Sequence, residues 1–159
     1  MMALMFESSS LNISLPSFQE RPSVQPDSSA FVADPELIRA LETRATPVKC
    51  DADGVLFKQD DPAVGVYILQ EGAATLTMTS HDGQLIFSVN AVPGSLLGLP
   101  ALVSDKPYSL TATALAGAKV SFVSREHFLA LVQSDPQLSL RMLQVLAAEV
   151  RTARQALNR

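Results

Sequence analysis

Residues 54–89 read GVLFKQDDPAVGVYILQEGAATLTMTSHDGQLIFSV, and the reading of this stretch decides the fold. Short apolar runs (Val55-Leu56-Phe57, Val64 to Leu69, Ala73 to Met78, Leu85 to Val89) alternate with turn signals. Those signals are Asp60-Asp61-Pro62, Glu71-Gly72 and His81-Asp82-Gly83-Gln84. Ala74-Thr75-Leu76-Thr77-Met78-Thr79 alternates at period two, as a half-buried strand does. Asp82-Gly83 between two apolar runs predicts a hairpin. The pattern continues through Pro93-Gly94, the runs Leu110 to Leu115 and Lys119 to Val123, and the break at Ala116-Gly117. So many strands at such short spacing predict a sandwich or barrel.

Helices flank this region. Upstream, Asp34 is suited to an N-cap, Pro35 to the first helical position, and Glu36 to the helix dipole. Leu37, Ile38 and Leu41 repeat at helical spacing, with Ala45 at the end of the stripe, and the helix must stop before Pro47. Downstream, Ser124 caps a helix carrying Phe128, Leu129, Leu131 and Val132. Ser134-Asp135-Pro136 breaks it and opens another, with Asp135 as cap. That last helix spans about 20 residues. Leu143, Leu146, Val150, Ala153 and Leu157 form a seam at spacings of 3, 4, 3 and 4, while Leu138, Met142 and Val145 lie on another side. One face can cover the sheet while the other meets a second copy, which predicts a homodimer, the alternative being a helix packed wholly on its own domain.

The 159 residues, 47% of them apolar and 18% charged, are enough for one domain with a sizeable core. Residues 1–30, rich in Ser, Pro, Gln and Asn, read as a disordered leader, and residues 31–159 as the folded domain. The net charge of −4 argues against a phosphate-gripping basic face, and so against nucleic-acid binding by this chain alone. Cys50 is the only cysteine, which excludes an internal disulfide framework and fits a reducing compartment. MMALMF lacks a basic n-region and gives way at once to Glu7-Ser8-Ser9-Ser10, so no export signal is read. No apolar run spans a bilayer. The expectation is a cytoplasmic protein without membrane contact.

The order of helix, short-stranded barrel, Gly-rich interruption and two helices resembles the cyclic-nucleotide-binding domain family. This is the sensor part of catabolite-activator-type and fumarate–nitrate-regulator-type proteins. The resemblance covers about residues 33 to 157 and rests on four pieces in order. Gly54 to Pro62 is similar to the family's glycine, apolar triplet and glycine–aspartate turn, with Asp60 where glycine is usual. Val66-Tyr67-Ile68-Leu69-Gln70-Glu71-Gly72 is similar to its next strand. Pro93-Gly94-Ser95-Leu96-Leu97-Gly98-Leu99-Pro100-Ala101-Leu102 resembles the opening of the phosphate-binding cassette, and Pro107-Tyr108-Ser109-Leu110-Thr111-Ala112 its close. The implied fold is mainly β with flanking helices: a double-stranded β-helix, a jelly-roll or cupin-like barrel, followed by a long C-terminal helix.

In the family, glycines turn the cassette backbone tightly and a short helix aims free N–H groups at a cyclic phosphate. A glutamate after the second glycine holds the ribose, and a later arginine pairs with the phosphate. By resemblance those positions are Leu99 and Tyr108 here. Losing the charge-assisted bond costs about 1.5–3 kcal/mol. The cassette residues Gly98, Leu99, Pro100, Ala101, Tyr108 and Ser109 are therefore expected to serve a small molecule other than cyclic AMP. By family position, Arg154 overhangs this pocket. A protein partner or a ligand would shift the cassette against the long helix. The alternative is a ligand-free scaffolding dimer in which Tyr108 plugs the phosphate's space.

No catalytic, metal or cofactor role is expected. Three or four converging ligands are needed for a cupin metal, and His81 and His127 are the only histidines. His81 reads as an exposed turn residue, with haem ligation the alternative. Cys50 reads as a buried, inert strand residue, with a thiol activated by Lys49 the alternative. Family transcription factors carry a DNA-reading helix-turn-helix after the long helix. Gln155 to Arg159 is too short for one.

Overall fold

The computed structural model describes residues 28–157, with Ala156 and Leu157 described by backbone alone. The expected leader lies outside these residues as far as position 27. Its last three residues belong to the fold instead: Ser28–Phe31 is one 3₁₀ turn in which Ala30 and Phe31 are buried.

Eight strands follow in chain order: β1 (Thr46–Val48), β2 (Gly54–Phe57), β3 (Gly65–Glu71), β4 (Ala74–Thr79), β5 (Leu85–Ala91), β6 (Ser95–Leu97), β7 (Thr111–Ala114) and β8 (Lys119–Ser124). They form two antiparallel four-stranded sheets, ordered β1-β8-β3-β6 and β2-β7-β4-β5. This is the expected jelly-roll. Among the described residues four helices attend it: α1 (Pro35–Glu42), α2 (Leu99–Ser104), α3 (Arg125–Ser134) and α4 (Pro136–Leu157). The expected strands agree within a residue or two. β1 and β6, only three residues each, add to the expected set.

The helix starts follow their caps. Asp34 Oδ2 accepts from the N–H groups of Glu36 and Leu37. Ser124 Oγ accepts from His127 N, and Asp135 Oδ1 from Gln137 N. Each satisfies a donor that the first turn leaves free.

Two cores result. One lies between the sheets, where Leu69, Leu97 and Val120 of the first meet Leu76, Val89 and Ala112 of the second. The other lies between the first sheet and the helices, built from Val66, Ile68 and Val123 against Leu37, Phe128 and Met142. β3 is central to its sheet and covered on both faces, which is why Val66-Tyr67-Ile68-Leu69 is an unbroken apolar run. Gly65 at its start admits no side chain, since a Cβ there would lie 2.3 Å from Val123 O.

Candidate functional site

The Gly-rich segment bends between β6 and α2. Gly98 caps α2 at φ +92°, a left-handed conformation. A Cβ there would also come within 3.0 Å of the Tyr108 ring. Conformation and crowding both require glycine. Leu99 then turns away from the barrel into the helical core, where it is fully buried.

Tyr108 is fastened at both ends. Its backbone brackets the turn after β2: Asp60 N donates to Tyr108 O at 2.7 Å, and Tyr108 N donates to Asp61 O at 2.9 Å. Asp60 sits at φ +75°, which gives a physical reason for the family's usual glycine there. The Tyr108 ring is 2% exposed and stacks on Phe57 with centroids 4.0 Å apart. Its hydroxyl donates to Gly65 O at 2.7 Å and accepts from Val64 N and Gly65 N, each at 3.2 Å. One donor and two acceptor sites exhaust a phenol.

Beside this ring lies a cavity of about 30 Å³, room for about one water. Gly98, Pro100 and Ala101 form its α2 wall, and Tyr108, Ser109 and Leu110 another. The sheets contribute Phe57, Leu76 and Leu97, and the N-terminal turn contributes Phe31. α4 contributes Glu149. Its Oε2 is shut off from solvent and has no hydrogen-bond partner. Burial pushes this carboxyl up to about 8, because an apolar wall disfavours the charged form.

The structure thus gathers Gly98, Pro100, Ala101, Tyr108 and Ser109 of the expected cassette around one cavity, with Leu99 facing elsewhere. Arg154, expected above the cavity, is exposed on a groove along the outer side of α4 with Leu143, Leu146 and Val150. The helix turn there points it outward. Of the seam residues, Leu143 (61%) and Val150 (49%) are exposed, as is Ala153. Leu146 packs partly on the helical core. The Leu157 side chain lies outside the described residues. Sequence reasoning missed Glu149, although it continues the stripe Leu138, Met142, Val145 at a spacing of four.

The other candidates stand apart. His81 is exposed at the β4–β5 turn and His127 on α3. Cys50 is buried, in the loop after β1 rather than in a strand. Burial and then Asp51 push its thiol up, the opposite of activation by Lys49. Among the described residues no group of three or more His, Cys, Asp or Glu could hold a metal. No described helix is long and apolar enough to cross a membrane.

A jelly roll with a Gly-capped short helix beside its interior and a long helix after it is the fold of a cyclic nucleotide-binding domain. The sequence carries the same assignment: residues 47–135, more than half of the chain, match the cyclic nucleotide-binding domain. The chain belongs to that family. It is 33% identical over 102 residues to the transcriptional activatory protein AadR of Rhodopseudomonas palustris, covering 64% of this chain and 41% of that one. It is 22% identical over 118 residues to a CRP-like cAMP-activated global transcriptional regulator of Mycobacterium tuberculosis, covering 74% and 53%. The chain spans about half or less of these relatives' length. In fold it is similar to the Thermus thermophilus catabolite activator protein (TM-score 0.69, 24% identity, 79% of this chain and 59% of that one). It is also similar to the sensor domain of the regulator DNR from Pseudomonas aeruginosa (TM-score 0.59, 21% identity, 77% and 82%).

Proposed function

We propose that residues 31–159 act as a non-catalytic sensor domain whose cassette no longer serves a cyclic nucleotide and takes another small molecule. One observation carries this reading. The position where the family places its phosphate-binding arginine holds Tyr108, buried, stacked and with its hydroxyl fully engaged. The space left is about 30 Å³, far below the several hundred Å³ of a usual small-molecule pocket. Binding therefore moves Tyr108 or α4.

The output is a protein–protein contact, in the cytoplasm and without nucleic acid bound by this chain. Leu143, Leu146, Val150, Ala153 and Leu157 form the seam for a second copy, so that motion of α4 at the cavity is felt across a dimer. The exposure of Leu143 and Val150 supports this. A second reading, a ligand-free scaffolding dimer, draws support from the same filled interior.

Thermal melting separates these. Millimolar cyclic AMP or cyclic GMP should leave the melting temperature unchanged, since only binding to the native state raises it. A rise of several degrees overturns the reading. A screen of small metabolites that yields one stabilising compound favours the sensor over the scaffold. In sedimentation, Leu143→Glu with Val150→Glu should turn a dimer into a monomer.

A further inference from the structure

The inward stripe of α4 runs Leu138, Met142, Val145, Glu149. The first three are buried in the helical core, and the fourth delivers a carboxyl group to the cavity. A buried polar atom without a partner is uncommon. Here it marks a hydrogen-bonding position that no described residue fills. The cavity beside it has room for a group about the size of one water.

The surroundings decide which ligand would fill that position. Around the cavity the α2 wall is Gly98, Pro100 and Ala101, and the sheets offer Phe57, Leu76 and Leu97. None of these carries charge. The N-terminal turn adds Phe31, and the segment before β7 adds Ser109, Leu110 and Tyr108. Among the described residues of the lining, Tyr108 is the one other titratable group, and its hydroxyl is already committed to Val64 and Gly65. The neighbouring cations Arg151 and Arg154 line grooves on the outer sides of α4. Among the described residues of the lining, Glu149 is thus the single group free to take a charge. That charge is negative. The mouth is marked by Pro100 and Ser109, which are exposed while their neighbours are not.

We propose that this cavity is a binding site for a small organic cation, an ammonium or amidinium group on an aromatic body, whose N–H groups pair with Glu149 while the body replaces the Tyr108 ring against Phe57. The proposal rests on the reading that the cassette takes a small molecule other than a cyclic nucleotide, and it names that molecule's class. Its recognition is the reverse of an anion cradle: a carboxylate in an apolar wall discriminates strongly for a cation that brings its own donors.

Proton linkage gives the proposal a signature. With its carboxyl held at about 8, Glu149 is mostly protonated at neutral pH in the free protein. Pairing with a cation needs the carboxylate, so binding near pH 7 releases close to one proton. Affinity rises by up to tenfold per pH unit below about pH 8 and levels off above it.

The experiment uses the full chain, benzylammonium as probe, and benzyl alcohol and benzoate as neutral and anionic controls. Titration calorimetry at pH 6, 7 and 9, in buffers of different ionisation heat, reads affinity and proton release together. Benzylammonium should bind at least tenfold more tightly than either control, in the native protein and more tightly still in Tyr108→Ala, where the ring's space is open. Glu149→Gln, checked for native melting, should lose that preference and the proton release. Equal binding of benzyl alcohol overturns the cation assignment alone. So does unchanged binding in Glu149→Gln, or no binding to either the native protein or Tyr108→Ala. Tight binding of cyclic AMP overturns the underlying reading of the cassette instead.

Discussion

The two ends of α4 are built on opposite principles. At its root, Leu138, Met142 and Val145 are buried against the helical core. Arg141 also reaches Asp34 at 2.7 Å, tying α4 to the cap of α1. Toward its tip, the same stripe presents Glu149 to the cavity without a partner, and Val150 on the next face is half exposed. The root is held in the helical core, whereas the later part packs on the N-terminal turn Ser28–Phe31 and carries an unmet polar demand.

The largest effect should come from loosening the root. Met142→Ala removes buried apolar volume from a side chain 7% exposed and should cost about 2–5 kcal/mol in urea unfolding. A cost below about 1 kcal/mol would put the root on the same footing as the tip and break the comparison.

The tip should answer to pH instead. Glu149 is raised from 4.5 to about 8, so across that window the folded protein holds a proton that the unfolded chain releases. Stability then falls as pH rises through the window, by up to about 1.4 kcal/mol per unit, and the full penalty stands above it. Glu149→Met should remove that slope: little gain at pH 5 and a gain on the order of a few kcal/mol at pH 9. Parallel unfolding curves at both pH values would show that Glu149 is not held as described.

The smallest effect sharpens the picture at the root. Arg141→Met keeps the stem but drops the ion pair, whose two side chains are about a third exposed, and should cost about 1 kcal/mol. The loss should shrink in molar salt, which a cavity effect would not do.

Much of this architecture is legible in the sequence because the signals are local. Asp34, Ser124 and Asp135 announce their helices, Asp82-Gly83 its hairpin, and period-two alternation announces β4. β1 escapes because Pro47 sits at its centre, tolerable only since β1 is an edge strand. β6 escapes because its three residues merge into the Gly-rich segment. At the site, the cassette residues are near one another in the chain and so were readable together. Phe31, Phe57, Leu76 and Glu149 come from four distant elements, and only the closed barrel juxtaposes them. Glu149 had a local signal all the same: a carboxylate on the stripe that otherwise reads Leu, Met, Val. Arg154 misled because family position fixes a place along the helix, while the side chain's face depends on how the helix seats.

The Tyr108 hydroxyl serves two backbone amides and one carbonyl at the start of β3. A guanidinium has five donors and no acceptor, so Tyr108→Arg would leave the Val64 and Gly65 amides facing a cation. An arginine at this position would break the bonding that holds the start of that strand. The phenol is therefore a tie between two distant parts of the chain, and only a side chain that both donates and accepts at that point can stand in for it.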